Sequence, residues 1–325
     1  MKFFVLKAYG EPPQLEIKES SIPDLSEDDI LVKVSYSAVN DYDWSLSTGK
    51  PLLYRLLFGL LKPKLRPGME ISGVVKQIGT KIQNFHVGDR VCGDLSEDRF
   101  GGFATHVLAK EKSLRKIPDE LALDEAASLP HAGLLVHQSI ELLNNKQCKK
   151  ILINGAGGGV GTLAFQLLKK EGVRIDGIDT GEKLSDMDKL GYEKVYDYKV
   201  KDLQKLDEQY DFILDTKSKF WPWHYSSKLA KNGIFVTVGG DLPQLAALLI
   251  FKGLIKKLSQ KELKILGLKA NRGLEDFVKL YLKKSMKSRI DGPYPFDEAA
   301  NALSRFGQGL HSGKVLLKIA SESEH

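Results

Sequence analysis

The stretch Ile151-Leu152-Ile153-Asn154-Gly155-Ala156-Gly157-Gly158-Gly159-Val160-Gly161 decides the fold of this chain. It joins a short apolar run, typical of a buried strand, to the amphipathic segment Val160 to Lys170, which predicts a helix. Glycines at such a junction allow a tight turn and let the backbone approach a phosphate, while the first N–H groups of the helix favour an anion. The stretch therefore predicts a turn that binds nucleotide phosphates.

The surroundings of this turn indicate a dinucleotide. A second apolar strand, Gly172 to Ile178, follows about twenty residues later, as a dinucleotide-binding fold requires. The Gly-Lys-Ser/Thr sequence of nucleoside triphosphatases is missing, because Gly161 is followed directly by Thr162. The residues expected to hold the phosphates are Gly155, Gly157, Gly158, Gly159, Val160 and Gly161.

The end of the second predicted strand, Ile178 to Lys183, selects between NAD and NADP. The Asp179 carboxylate could accept from a ribose 2′-hydroxyl, as in NAD-binding proteins. The Lys183 ammonium or the Thr180 hydroxyl could instead hold a 2′-phosphate. Taken alone, these residues leave both dinucleotides open.

Two kinds of pattern divide the chain. In residues 1–118, short apolar runs alternate with turn signals such as Pro67-Gly68 and Gly101-Gly102, which predicts mostly antiparallel β-structure. Residues 119–269 open with Asp124 to Leu143, predicted as one helix, and continue with strands that alternate with helices. This alternation predicts a doubly wound parallel sheet, so the fold class is α/β.

The C-terminal segment 270–325 does not continue the alternation. It contains a predicted helix from Leu274 to Lys284, a loop at Asp291-Gly292-Pro293, a second helix from Phe296 to Phe306 and a last strand from Lys314 to Ile319. We expect this segment to complete the first domain, 1–118, and we expect residues 119–269 to form the dinucleotide-binding domain.

Composition excludes several other classes of protein. The 48 basic and 42 acidic residues are mixed, with no basic stripe, so nucleic-acid binding is not expected. Two cysteines and no apolar leader at the N-terminus predict a cytoplasmic protein. The apolar stretches Leu52 to Leu61 and Leu242 to Leu258 are interrupted by basic residues and fall short of the roughly 20 residues of a membrane span. No transmembrane segment is expected.

Ordered motifs along nearly the whole chain resemble one family. They are Ser37-Ala38-Val39-Asn40 with Asp43, Pro67-Gly68-Met69-Glu70-Ile71-Ser72-Gly73-Val74-Val75, Val87-Gly88-Asp89-Arg90-Val91, Gly101-Gly102-Phe103-Ala104, Ala126-Ala127-Ser128-Leu129-Pro130, the glycine turn, Val238-Gly239-Gly240 and Gly313-Lys314-Val315. The chain resembles the zinc-independent, quinone oxidoreductase-like branch of the medium-chain dehydrogenase/reductase superfamily. The resemblance implies a GroES-like β-rich catalytic domain, a Rossmann domain, an active site in the cleft between them and a homodimer.

The resemblance also bears on metal and cofactor. Zinc-dependent relatives carry their ligands at the positions of Asn40, Met69 and His131, and neither an amide nor a thioether supplies the usual donor, so no zinc is expected. Residues matching Lys183 and Tyr198 face the 2′-phosphate in this branch, and the Gly239-Gly240 turn lies at the reactive end of the cofactor. The resemblance therefore favours NADP(H) over NAD(H), although the charge of Asp179 would oppose the 2′-phosphate.

Without a metal, acceptors that spread negative charge themselves are favoured, which indicates NAD(P)H-dependent reduction of quinones or α,β-unsaturated carbonyls. Asn40 is the candidate for orienting the reactants, Tyr42 and Tyr54 are candidate hydrogen-bond donors, and Asp43 is expected to cap a helix. The leucines of 52–61 and the segment 245–251 line a lipophilic quinone or enal pocket, or else serve packing and dimerisation. Alternative functions are an enoyl-thioester reductase and a dinucleotide-binding protein with little turnover.

Overall fold

The computed structural model describes residues 1–319, and the chain divides into two compact units. The first comprises Met1–His131, Ala270–Leu282 and the residues from Ile290 onward. The second comprises Ala132–Lys269 and Lys283–Arg289. Of the C-terminal segment expected to complete the first domain, residues 320–325 lie outside the described part of the chain.

Strands and helices are numbered in chain order. The N-terminal part contains β1 (Lys2–Ala8), β2 (Gln14–Glu19), β3 (Asp29–Ala38), α1 (Asp41–Thr48), α2 (Leu53–Phe58), β4 (Glu70–Ile78), β5 (Arg90–Asp94), β6 (His106–Lys110), β7 (Arg115–Lys116) and α3 (Leu123–Ala127). The central part contains α4 (Ala132–Glu141), β8 (Lys150–Asn154), α5 (Gly159–Leu168), β9 (Arg174–Asp179), α6 (Lys183–Leu190), β10 (Lys194–Asp197), β11 (Tyr210–Asp215), α7 (Pro222–Ser227), β12 (Leu229–Thr237), α8 (Leu242–Ser259) and β13 (Glu262–Ile265). The C-terminal part contains α9 (Leu274–Lys283), β14 (Ile290–Pro295), α10 (Ala299–Gly307) and β15 (Lys314–Lys318).

A seven-stranded sheet forms the centre of the first unit. Its order is β14-β15-β3-β4-β5-β7, with β6 also paired to β3, and only the β14–β15 pairing is parallel. Apolar side chains that alternate along β3 and β4 pack against α10 in one core, which includes Val32, Val34, Ile71, Val75, Ala302 and Leu303. This sheet confirms the predicted β-rich, GroES-like domain.

Two local predictions are wrong. The segment Asp291-Gly292-Pro293, predicted as a loop, lies inside β14, because pairing with β15 holds it in the sheet across a register shift. The segment Asp124 to Leu143, predicted as one helix, is divided into α3 and α4, because Pro130 has no N–H to donate to a continuous helix. Helix α3 belongs to the first unit, where Ala127 packs against Ala38 and Leu316.

The second unit contains six parallel strands in the order β10-β9-β8-β11-β12-β13. The apolar residues of β8 and β11 are buried, as expected when helices cover both faces of a parallel sheet. This sheet confirms the predicted Rossmann-type domain. Within residues 1–319 no helix, α8 included, has the length and apolarity needed to cross a membrane.

Candidate functional site

The strand order of the second unit reverses beside β8. The chain runs from β8 through β9 to β10 at one edge and then returns to β11 on the other side of β8. In open parallel sheets, ligands bind at the carboxyl ends of the strands where the order reverses. Asn154 ends β8 and Asp215 ends β11, and Asn154 Nδ2 donates to Asp215 Oδ1 at 2.9 Å. The glycine turn follows directly from this point.

The turn has room only for glycine at critical positions. Gly155 adopts a φ of +85°, and a Cβ there would lie 1.9 Å from Thr216 Oγ1. A Cβ on Gly161 would lie 2.3 Å from the carbonyl oxygen of Gly155, so the missing side chain lets α5 pack against the turn. Gly158 precedes α5, and no side chain caps the first N–H groups of this helix. The turn therefore fits a pyrophosphate at a helix N-terminus.

Asp179, at the end of β9, binds the glycine turn directly. Its Oδ2 accepts from the Gly157 N–H at 2.9 Å, and its Oδ1 accepts from the Thr180 N–H at 3.0 Å. Lys183 Nζ lies 3.2 Å from Oδ1, and both side chains are nearly buried. The lysine thus neutralises a carboxylate that two backbone donors already hold in place.

Thr180 and Tyr198 lie at the same strand end. The Thr180 hydroxyl donates to Asp197 Oδ1 at 2.8 Å, and a backbone N–H of Lys199 together with this bond lowers the pKa of Asp197. The backbone of Tyr198 donates to the Asp179 carbonyl at 3.0 Å, and the ring is 47% exposed. Partial burial, with Asp179 and Asp197 nearby, raises the pKa of Tyr198, so its hydroxyl remains a donor at neutral pH.

Gly239 and Gly240 follow β12 and contact the loop after β11. The Ser218 N–H donates to the Gly239 carbonyl at 2.8 Å, and the Thr237 hydroxyl donates to the same oxygen. A Cβ on Gly240 would lie 2.6 Å from the Ser218 carbonyl oxygen. These glycines therefore keep two loops close together at the carboxyl edge of the sheet.

In the first unit, Asn40 belongs to a buried polar network. Asn40 Nδ2 donates to Glu70 Oε2 at 3.0 Å, and Lys314 Nζ lies 2.6 Å from the same oxygen. Lys314 Nζ also donates to Asn40 Oδ1. Glu70 and Lys314 are both buried and form an ion pair, and the Asn40 amide bonds to both of them.

His131 continues this network. The backbone N–H of His131 donates to Glu70 Oε1 at 2.8 Å. The ring Nδ1 of His131 lies 3.1 Å from Asp94 Oδ2. Burial of Asp94 opposes its ionisation, but the hydrogen bonds from His131 and Ser96 outweigh burial and lower its pKa. Because an ionised carboxylate only accepts, the imidazole proton facing it is on Nδ1.

The two candidate tyrosines lie in an aromatic cluster of the first unit. The ring centroid of Tyr42 lies 6.1 Å from that of Tyr54 and 6.5 Å from those of His131 and Phe100. Tyr42 is 41% exposed. Burial raises the pKa of Tyr54 to about 12, with a further contribution from Tyr42, so the Tyr54 hydroxyl keeps its proton and can donate a hydrogen bond at neutral pH.

Asp43 lies at the start of α1 and binds two backbone donors. Its Oδ2 accepts from the Asn40 N–H at 3.0 Å, and its Oδ1 accepts from the Gly68 N–H at 2.7 Å. Burial nevertheless raises the pKa of Asp43 to about 7, against the lowering effect of these two bonds. Its contacts are those of a helix cap that also fixes the turn before β4.

Comparison with known proteins identifies the family. Residues 26–119 match the alcohol dehydrogenase GroES-like domain, and residues 190–317 match zinc-binding dehydrogenases. The chloroplastic quinone-oxidoreductase homolog of Spinacia oleracea is 29% identical over 323 residues, which cover 95% of this chain and 95% of that protein. The chain belongs to the medium-chain dehydrogenase/reductase superfamily.

Two further members of this oxidoreductase superfamily are similar along most of the chain. The 2-methylene-furan-3-one reductase of Solanum lycopersicum is 27% identical, covering 98% of this chain and 79% of that protein. The structure of Escherichia coli quinone oxidoreductase complexed with NADPH superposes with a TM-score of 0.79 at 21% identity, covering 98% of this chain and 100% of the other. This superposition shows a common fold.

The donor set of the first unit does not fit the catalytic zinc of zinc-dependent superfamily members. The side chain at one ligand position, Asn40, is engaged by Glu70 and by the ammonium of Lys314, whose positive charge opposes a cation. The thioether of Met69, at the second position, is fully buried. Within residues 1–319 no group of three or more histidine, cysteine, aspartate or glutamate residues is arranged to hold a metal ion.

The structure brings together most of the residues singled out from the sequence. The glycine turn follows the carboxyl end of β8 and leads into α5 with Val160, while Asp179, Thr180, Lys183 and Tyr198 lie at or just after the ends of β9 and β10. Gly239-Gly240 follows β12, two strands from β8 in the same sheet. Sequence reasoning missed the partners of Asn40 and His131 in the first unit, and Thr216, Ser218 and Asp215 in the second. One signal was present: Glu70 and Lys314 are charged residues at the start of β4 and β15, each followed directly by an apolar residue of the strand.

Proposed function

We propose that this chain is an NADPH-dependent reductase of quinones and α,β-unsaturated carbonyls that works without a catalytic metal. The observation that carries the proposal is the Asn40–Glu70–Lys314 network, which occupies the ligand position with an amide and an ammonium group. Without a Lewis acid, an unactivated ketone or alcohol is difficult to polarise, whereas quinones and enones delocalise the incoming charge. Relatives named for the reduction of quinones or of a methylene-furanone support this substrate class.

We propose that the second unit holds the dinucleotide. When bound, the reduced cofactor supplies the hydride. The glycine turn and the N-terminus of α5 would bind the pyrophosphate, while Lys183, Thr180 and Tyr198 would face the 2′-phosphate. The ion pair with Lys183 supports NADPH, because it neutralises the carboxylate of Asp179 that would otherwise repel a phosphate.

In the first unit, we propose that Tyr42 donates a hydrogen bond to the acceptor carbonyl. Its exposed ring and its place among aromatic neighbours support this role. Tyr54 is more buried and is proposed to hold the Tyr42 ring in position. Asn40 is proposed to fix the local backbone and the charge of Lys314, since its own amide is already engaged by Ala38, Glu70 and Lys314.

The proposed activity is tested by anaerobic oxidation of NADPH and NADH against quinones, enals and enoyl-thioesters. We expect turnover with quinones and enals, with a higher kcat/KM for NADPH. Preference for the thioesters would favour the enoyl-thioester reductase, and no oxidation with any acceptor would leave only a dinucleotide-binding protein. An NADH preference would mean that Asp179 binds a ribose hydroxyl instead.

The tyrosine roles are tested by Tyr42→Phe and Tyr54→Phe, a matched pair that each removes one hydroxyl. We expect Tyr42→Phe to lower kcat/KM by about tenfold or more, as the loss of a well-placed donor does, and Tyr54→Phe to change it less. Equal effects, or a larger effect of Tyr54→Phe, would contradict the assignment of Tyr42 as donor.

We also propose a homodimer formed through the second unit. Strand β13 ends the six-stranded sheet, and α8 beside it exposes apolar side chains that include Leu249, Ile250 and Leu254. A second copy pairing at this edge would form hydrogen bonds with the free backbone N–H and C=O groups of β13. It would also cover the exposed apolar side chains of α8. Sedimentation velocity should give a dimer, and Ile250→Asp should shift it to monomer; a monomeric wild type would refute the proposal.

A further inference from the structure

The first unit carries an unusual exposed segment, residues 52–66, which we call the leucine loop. It includes α2 and the turn that follows. Six of its leucines are exposed, from 47% for Leu53 to 90% for Leu61, and none of the residues of α2 is buried. The exposed leucines are Leu52, Leu53, Leu56, Leu57, Leu60 and Leu61. Clusters of this kind on a protein surface mark interaction sites.

The backbone of the leucine loop is well held, so the exposure is built into the fold. Tyr9 donates its hydroxyl to the Gly59 carbonyl at 2.6 Å, and the Lys64 N–H donates to the Phe58 carbonyl at 2.8 Å. Gly59 has a φ of +125°, and a Cβ there would lie 2.3 Å from the Lys62 carbonyl oxygen. Leu60 and Leu61 are therefore presented at the tip of an ordered turn.

The charge of the leucine loop has one sign. From Pro51 to Gly68 the sequence contains four basic residues and no acidic residue. Two of the four form cation–π contacts with aromatic residues of the same unit: Arg55 lies over the Tyr9 ring, and Arg66 lies over the Phe3 ring. Lys62 and Lys64 are exposed, and within residues 1–319 neither has an acidic side chain at ion-pair distance. Their charge is available to an anionic partner.

Helix α8, where we propose that a second copy pairs, also exposes apolar side chains but differs from the leucine loop in its position in the fold. Its exposed apolar face adjoins the edge strand β13, and Lys256 on this helix is paired with Glu262 at 2.9 Å. The leucine loop has two exposed lysines directly beside its leucines and contains no acidic residue. Leucines at the tip of a turn, with lysines directly beside them, match the apolar boundary and the charged headgroups of a lipid surface.

We propose that the leucine loop docks this protein on anionic lipid bilayers. Leu60 and Leu61 enter the boundary between headgroups and acyl chains, and Lys62 and Lys64 contact the anionic headgroups. The proposal deepens the proposed function, on which it rests for its purpose, because quinones and enals with long apolar chains are dissolved in the bilayer. Docking itself requires neither cofactor nor turnover.

The test is co-sedimentation of the full-length protein with vesicles of phosphatidylcholine, alone or mixed with phosphatidylserine, without cofactor or acceptor. We expect binding to the mixed vesicles that weakens as salt is raised. Lys62→Ser/Lys64→Ser should weaken this binding by about thirtyfold, since each lysine near an anionic surface contributes about 1 kcal/mol. Leu60→Ser/Leu61→Ser should weaken binding to both kinds of vesicle by about tenfold or more.

The matched control is Val87→Ser/Leu310→Ser, which removes two exposed apolar side chains of the same unit outside the loop and should bind as the wild type does. Thermal unfolding of each variant checks that the fold is retained. Absence of wild-type binding, equal loss in the control, or loss with Ile250→Ser on α8 but not with the loop variants would overturn the proposal. So would a change of oligomeric state in Leu60→Ser/Leu61→Ser without loss of vesicle binding. Because vesicle binding is measured without turnover, failure of docking and failure of the proposed reduction are separate results.

Discussion

Each unit of this protein buries one carboxylate against one lysine, and the two pairs differ in how they are built. In the second unit, Asp179 and Lys183 are four residues apart, at the end of a strand and the start of the next helix. In the first unit, Glu70 and Lys314 come from opposite ends of the chain and meet in the sheet through β4, β3 and β15. One pair is local, and the other depends on the complete fold.

The number of groups that depend on each lysine also differs. Lys183 neutralises one carboxylate, which keeps the N–H donors of Gly157 and Thr180 if the lysine is lost. Lys314 serves two buried acceptors, Glu70 Oε2 and Asn40 Oδ1. Loss of Lys314 would therefore leave a charge less compensated and an amide oxygen unsatisfied, so the distant pair should be the more sensitive of the two.

The largest expected effect is that of Lys314→Met. Breaking a buried ion pair by removing one partner costs about 3–5 kcal/mol, and we expect a loss of this size in the free energy of unfolding. Urea unfolding of Lys314→Met and of Glu70→Gln/Lys314→Met measures it. Removing the charge of Glu70 as well should restore more than half of the loss, because the amide oxygen introduced at this position can still accept a hydrogen bond from its remaining donors. A double variant as unstable as the single one would contradict this account.

Asp43 is another buried carboxyl of the first unit, and Lys314 acts on it only from beyond ion-pair distance. Within the described residues no basic side chain lies at ion-pair distance from it, and burial raises its pKa to about 7. In the unfolded chain an aspartate titrates near pH 4. Between these values the native state binds the extra proton, so stability should fall as pH rises, by about 3 kcal/mol from about pH 4 to about pH 7.

Asp43→Asn removes this titration, so the wild-type minus variant difference in unfolding free energy should decline across that range and level off above it. Urea unfolding at several pH values gives the difference directly. A difference that is flat, or that grows with pH, would mean that the N–H groups of Gly68 and Asn40 keep Asp43 ionised.

The same contrast between local and distant contacts explains what the sequence could predict. The glycine turn, Asp179 and Lys183 are contiguous or nearly so, and their spacing alone indicates a strand, a turn and a helix. Glu70 and Lys314 each lie in a recognised motif, but nothing in the spacing of the chain links them. Asn40 and Lys314, for example, are 274 residues apart. The polar network around Asn40 therefore required the structure.

The two wrong local predictions have different causes. The break in the helix predicted from Asp124 to Leu143 could have been predicted from the sequence. Pro130 lies within this segment and has no N–H to donate to the helix. The strand around Gly292 and Pro293 could not be predicted from the sequence, because these turn-forming residues are held in β14 only by pairing with β15. Tertiary pairing overrides local preference at the edge of a sheet.

Lys183→Met should have the smallest effect on the free energy of unfolding. It should also distinguish NADPH from NADH in kcat/KM. Asp179 keeps two backbone donors, so we expect a loss of about 1–3 kcal/mol in unfolding free energy, less than for Lys314→Met. Its carboxylate would however lose its neutralising charge beside the proposed 2′-phosphate. We therefore expect kcat/KM to fall by about tenfold with NADPH and much less with NADH, the size of one charge-assisted hydrogen bond.

Lys189→Met, which replaces an exposed lysine of the same helix α6, is the control and should change neither the unfolding free energy nor kcat/KM. Equal losses with both dinucleotides would mean that Lys183 only supports Asp179 and the turn, and that the local pair, like the distant one, is structural.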